Sequence, residues 1–131
     1  MVDKFYVDVK AHKLFRNLVD QPYSPFYNKD IKDVFIFAMS LGFRMNKRKP
    51  LEKKKDIADI DVFKEHEKTL IRCIASQVEG KIDILIDEAK IFRIAEEFAN
   101  GGIDILHDLI FEKKGEPIKN LDKEIIELSN K

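Results

Sequence analysis

The side chains able to do chemistry are few, and they are scattered. His66-Glu67 begins like a zinc-binding helix, but position 70, where the second histidine would stand one turn later, is Leu. A lone histidine leaves a catalytic zinc short of protein ligands, so this segment reads as a solvated helix face. His107 lies at helical spacing from Asp104 and beside Asp108, a trio that reads as exposed polar neighbours rather than a metal site. His12 has Lys13 next to it and no carboxylate or thiol in view. Cys73 sits between Ile71 and Ile74 at the edge of an apolar stripe, where a cysteine behaves as a small buried hydrophobe. Arg72 precedes it, but adjacent helical positions point apart, so the arginine is not placed to activate the thiol. Glu96-Glu97 fits a helix surface, and Asp87-Glu88 fits a helix N-terminus, where the dipole favours negative charge. The adjacent glycines Gly101-Gly102 follow a helix rather than a strand, so they make no phosphate loop, and no serine stands in a nucleophile elbow. The expectation is a protein that is not an enzyme, with no catalytic residue, no metal and no cofactor.

One cluster rises above this background. Between positions 44 and 55, Arg44, Lys47, Arg48, Lys49, Lys53, Lys54 and Lys55 face a single acid, Glu52, with one proline and no amphipathic period. The segment reads as an exposed loop. Seven cations in twelve positions can neutralise several phosphates, and release of condensed counterions then gives affinity for nucleic acid of any sequence. Two other readings stay open: a loop charged for solubility alone, or a contact for an acidic protein partner. The second includes another copy of the chain, because charge is divided between the halves. Residues 1–60 hold 13 Lys/Arg against 8 Asp/Glu, and residues 61–131 hold 11 against 16, although the totals are equal at 24 and 24.

Helices must position these side chains. Residues 5–9 alternate briefly and read as a short strand. Ala11, Leu14, Phe15 and Leu18 share a helix face over about Val9 to Val19, and Pro22 and Pro25 make the following segment a loop pinned by Tyr23, Phe26 and Tyr27. Asn28 or Asp30 can cap a second helix with Ile31, Val34, Phe35, Ala38 and Leu41 inside. Ile36, Phe37 and Met39 widen its stripe, so it should be the most buried helix, closed at Gly42. Ile57 and Ile60 dock back on the core. Asp61 is placed to cap a helix from Val62, carrying Phe63, Leu70, Ile71, Ile74 and Val78 and ending at Gly80. Residues 82–86 read equally as a strand, whose partner would be 5–9, a short helix or a connector. Asp87 caps a helix with Ile91, Ile94, Ala95 and Phe98 inward, and Asn100-Gly101-Gly102 should stop it. A further helix over 103–111, a loop over 113–120 and a short terminal helix through Leu121, Ile125 and Leu128 complete the reading. The fold class expected is all-α: a compact single domain over 1–131, a bundle of five to six helices with at most one minor strand pair, a basic loop at 44–55 and a tail at 113–131.

Composition agrees. A hydrophobic share of 44% with ten Phe supplies a core, and a charged share of 37% suits a heavily solvated helical surface. A single cysteine excludes an internal disulfide framework and fits a reducing compartment. The charged N-terminus lacks the apolar run of a signal peptide, and no apolar stretch approaches the roughly 18 to 20 residues of a membrane span. The expected location is the cytoplasm, without membrane contact.

Three segments in this order resemble a known family. They are Lys32-Asp33-Val34-Phe35-Ile36-Phe37-Ala38-Met39-Ser40-Leu41-Gly42-Phe43 with the basic stretch and Pro50-Leu51, then Leu70-Ile71-Arg72-Cys73-Ile74-Ala75. The third is Ile91-Phe92-Arg93-Ile94-Ala95-Glu96-Glu97-Phe98-Ala99-Asn100-Gly101-Gly102-Ile103, running into Leu106-His107-Asp108-Leu109. The resemblance, over about residues 10 to 112, is to the fourth type of protein associated with Dnd (DNA phosphorothioation) gene clusters. It implies an accessory protein of a DNA modification and restriction defence system, with DNA and other defence-system proteins as partners, and it carries over no catalytic residue. The alternative reading is a protein-interaction or self-assembling subunit without nucleic-acid affinity, using the wide stripe of 31–41 as part of its interface.

Overall fold

The structure, a computed structural model, describes residues 3–112. The tail expectations at 113–131 lie outside the described residues. Its elements are β1 (Lys4–Asp8), α1 (His12–Asp20), α2 (Ile31–Arg44), β2 (Lys54–Asp59), α3 (Glu65–Glu79) and α4 (Glu88–His107). The described residues thus form a mainly helical fold with four α-helices rather than five or six, and one antiparallel strand pair.

Within the described residues the difference has one cause: α4 runs unbroken through Asn100-Gly101-Gly102, so two expected helices are one. The glycines serve contact, not termination. A Cβ on Gly102 would fall on the Ala38 carbonyl of α2, and one on Gly101 would fall on the Lys47 carbonyl. Gly42 likewise does not close α2. It faces the Phe98 carbonyl of α4, and the helix continues to Arg44 before Asn46, at φ 54°, makes the left-handed turn. These close approaches make α2 and α4 the central helix pair. Twelve of α4's twenty residues are buried, so α4 and not α2 is the most buried helix.

Over this pair lies the β-ribbon. Phe5 and Val7 alternate inward from β1, and the Phe5 ring packs edge-on to Phe35 at 4.9 Å and tilted against Phe63 at 4.8 Å. The partner of β1 is β2, not residues 82–86, with a register irregularity between Phe5↔Ala58 and Tyr6↔Asp56 that leaves Ile57 unpaired and half-buried on the core. Because Phe63 is drawn into the aromatic cluster on extended backbone, no α-helix starts at Val62. A 3-10 turn, Ile60–Val62, precedes it, and α3 begins at Glu65. There Glu67 accepts the Lys64 N–H at 2.7 Å and the Lys32 ammonium at 2.8 Å. Burial pushes the Glu67 carboxyl up, but those donors together hold it below its ordinary value. Gly80, at φ 68°, ends α3 as expected. The helix buries Ile71, Ile74 and Ala75, a stripe narrow enough to leave Leu70 37% exposed and to place Cys73 in solvent rather than in the core. Residues Ile82–Ile86 form a 3-10 turn, after which Asp87 caps α4 by accepting the Lys90 N–H. In the proline loop Phe26 packs on Phe37 and Tyr23 meets Phe111 edge-on, while Tyr27 is half exposed.

Candidate nucleic-acid interface

The segment expected to be a plain exposed loop divides in two. Lys54 and Lys55 belong to β2, where they pair with Asp8 and Val7. The preceding residues, 45–53, are a strap tied to the fold at both ends and in the middle. At its start the Lys47 N–H donates to the Gly42 carbonyl at 2.7 Å. In the middle the Lys49 N–H donates to the Glu97 carbonyl at 3.0 Å. The buried Asn100 amide donates to the Lys49 and Pro50 carbonyls at 3.1 and 3.2 Å. At its end Asp8 Oδ1 accepts the N–H groups of Glu52 and Lys53 at 2.8 and 3.1 Å, and the Val9 N–H donates to the Lys53 carbonyl. Burial pushes the Asp8 carboxyl up, and the N–H donors of Lys53, Glu52 and Lys10 outweigh it, holding the group below its ordinary value. Such anchors satisfy backbone groups that an irregular segment otherwise leaves to water.

The seven cations are all exposed at their side chains, but they are not equivalent. Arg48 reaches Glu97 at 2.7 Å and lies over the Phe98 ring at 5.8 Å, and Lys49 pairs with Asp104 at 3.3 Å. These two bind the strap to α4. Lys54 sits over the Tyr6 ring at 5.5 Å. Arg44 ends α2 at the strap's start. Lys47, Lys53 and Lys55 have no acidic partner among the described residues, so their charge is unneutralised by the fold.

The ribbon also brings up cations that local spacing did not mark. Burial, then Lys55 and Arg16, push the His12 imidazole below its ordinary value, which places α1's Arg16 in the same field as Lys55. Nothing in the sequence between positions 16 and 55 signals this; only the β1–β2 pairing makes them neighbours. His107 contacts Asn17 at 3.4 Å and stacks 4.6 Å from Phe111, away from any acidic cluster that would make a metal site. Among the described residues no group of three or more His, Cys, Asp and Glu is placed to hold a metal ion. Nor is any helix there long and apolar enough to cross a membrane.

A family model, described as DNA sulphur modification system-associated protein 4, matches residues 8–130. The chain belongs to that family. The match takes in the strap and all four helices. Membership associates the chain with a DNA sulphur modification system, as the resemblance implied. No curated protein and no solved structure matches it.

Proposed function

We propose that the chain is a non-enzymatic, cytoplasmic accessory protein of a DNA sulphur modification and restriction defence system, and that it holds DNA by the phosphate backbone. The interface is the strap and the start of β2: Arg44, Lys47, Arg48, Lys49, Lys53, Lys54 and Lys55. The observation that carries the reading is a dense basic segment fixed in place by backbone anchors in a member of a DNA-modification family. A pinned array loses less conformational entropy on binding than a floppy lysine loop, so more of its Coulombic attraction appears as affinity. Lys47, Lys53 and Lys55 make the phosphate contacts, and Arg48 and Lys49 hold the strap to α4. Phosphate contacts position a protein without reading bases, so binding is indifferent to sequence.

The test is fluorescence anisotropy with short duplexes, plain and phosphorothioated, over a salt series. Replacing Lys47, Lys53 and Lys55 together by Ala should weaken binding and lower the slope of log affinity against log salt by up to about three. Wild-type affinity in that variant would overturn the interface. A preference for the sulfur-bearing duplex would add recognition of the mark itself.

A second reading rests on a different observation. Ile82, Leu85 and Ile86 stand 77%, 42% and 92% exposed at the α3–α4 corner, an apolar group that suits a protein partner. In that case the chain is an interaction subunit, and the contact is this turn rather than the stripe of 31–41, which is largely occupied by α4. Absence of DNA binding at low salt, with association that Ile86→Lys abolishes, would favour it.

A further inference from the structure

A cavity of about 370 Å³ opens between the two strands and the first half of α4. Four cations from three elements line it: Lys4 of β1, Lys54 of β2, and Lys90 and Arg93 of α4. Lys4 is engaged by Asp56 at 3.3 Å and Lys90 by Glu79 at 3.1 Å. The Arg93 guanidinium is exposed and makes no hydrogen bond or ion pair with the described residues. Glu96, only 4% exposed, forms part of the wall, with Oε2 accepting the Tyr6 N–H at 2.9 Å and Oε1 without a hydrogen-bond partner among the described residues. A fork of unpartnered N–H donors among further cations, beside a carboxyl with one oxygen unclaimed, matches the needs of an oxyanion. The cavity lies within the range of about 300–1,000 Å³ usual for small-molecule sites, which is more room than a bare ion requires.

We propose that this cavity binds a terminal phosphomonoester, the phosphate of a nucleotide or of a DNA end, on Arg93, Lys54 and the unclaimed oxygen of Glu96. In its protonated form the Glu96 carboxyl donates to a phosphate oxygen; in its ionised form it repels the ligand. Burial pushes this carboxyl up to about 7, against the Tyr6 N–H and Lys54, which act to lower it, and with Glu97 adding to the rise. Lys4, Lys54, Lys90, Arg93 and Asp87 are the other charged groups lining the cavity, and the buried Glu96 carboxyl is the group that links binding to pH. The two sites share Lys54, but Lys47, Lys53 and Lys55 take no part in this one, so replacing those three tells the sites apart.

The probe is deoxyadenosine 5′-monophosphate, titrated into the full chain by calorimetry and by amide shifts of Tyr6 and Arg93. Single-stranded oligonucleotides with a 5′-phosphate or a 5′-hydroxyl run in parallel. Expected are saturable binding at pH 6, loss of about tenfold or more in Arg93→Ala, and weakening in the wild type by pH 8.5. Glu96→Gln, whose amide still accepts the Tyr6 N–H, should lose less affinity over that range than the wild type, a comparison that removes the ligand's own ionisation. Binding of the mononucleotide identifies a free nucleotide as ligand, and tight binding of the 5′-phosphorylated strand alone identifies a DNA end. No saturable binding by either, or unchanged binding of the mononucleotide in Arg93→Ala, would overturn the site. So would loss of mononucleotide binding when Lys47, Lys53 and Lys55 are replaced.

Discussion

Residues 45–53 carry concentrated positive charge yet are tied down along their length, whereas Ile82–Ile86, apolar at four positions of five, ends with Ile86 92% exposed. Side-chain polarity decides neither outcome. The strap is held chiefly through its backbone, by Asp8, Asn100 and carbonyls of α2 and α4, with the Arg48 and Lys49 side chains adding ion pairs to α4. The turn buries Ile84 alone, because a five-residue 3-10 segment has too few side-chain directions to place all its apolar groups on one neighbour. Anchoring and exposure are thus independent, and a charged segment can be the more ordered of the two.

The comparison can be broken first at the helix pair beneath the strap. Gly102→Ala sets a methyl on the Ala38 carbonyl and should cost about 3 kcal/mol or more in chemical denaturation, with the strap lost along with the fold. Next, Glu96→Gln removes the buried carboxyl beside Glu97, the strap's partner on α4. A carboxyl raised from 4.5 to about 7 in the folded state makes the native protein bind more protons than the unfolded chain between those values. Stability therefore falls as pH rises through that window, and the variant should be more stable than wild type at pH 8.5 by about 2–3 kcal/mol, an order-of-magnitude figure, and little different at pH 4. A smaller effect is expected at Asn100→Ala, which leaves the Lys49 and Pro50 carbonyls without their donor, at about 2 kcal/mol. Hydrogen exchange of the Lys49 amide should quicken in that variant more than exchange in α3; equal acceleration would mean the strap is not a separate unit. The smallest effect belongs to the turn: Ile86→Lys should change stability by less than about 0.5 kcal/mol, and a larger loss would show that the apolar group is already part of the core.

What the residues reveal in advance follows from how local each cause is. The stripes of α1, α2 and the first half of α4, the Asp87 cap and the Gly80 stop depend on neighbours within a few positions, and they were legible. β2 was not, because Lys-Lys-Asp-Ile-Ala-Asp has no alternation; pairing with β1 makes it a strand. The three glycines were misread for a related reason. Glycine at a helix end and glycine under a crossing helix look the same in one dimension, and only the partner carbonyl tells them apart. The basic cluster was visible as composition, but the division of labour within it depends on Glu97 and Asp104, about fifty residues away in sequence. Glu96 reads in sequence as an ordinary helix-surface charge, and Arg93 carries no local signal; the ribbon brings both to one cavity.

The strap's anchors have a kinetic corollary. Its hydrogen bonds to Asp8 span 44 and 45 residues, and those from Asn100 span 51 and 50. Contacts of such separation must wait for loop closure, so they form late in folding. The cationic array therefore exists only once strand β1 and helix α4 have both docked. A peptide of residues 44–55 has the same charges but none of their arrangement, and an incompletely folded chain offers DNA a disordered lysine segment instead of a fixed surface.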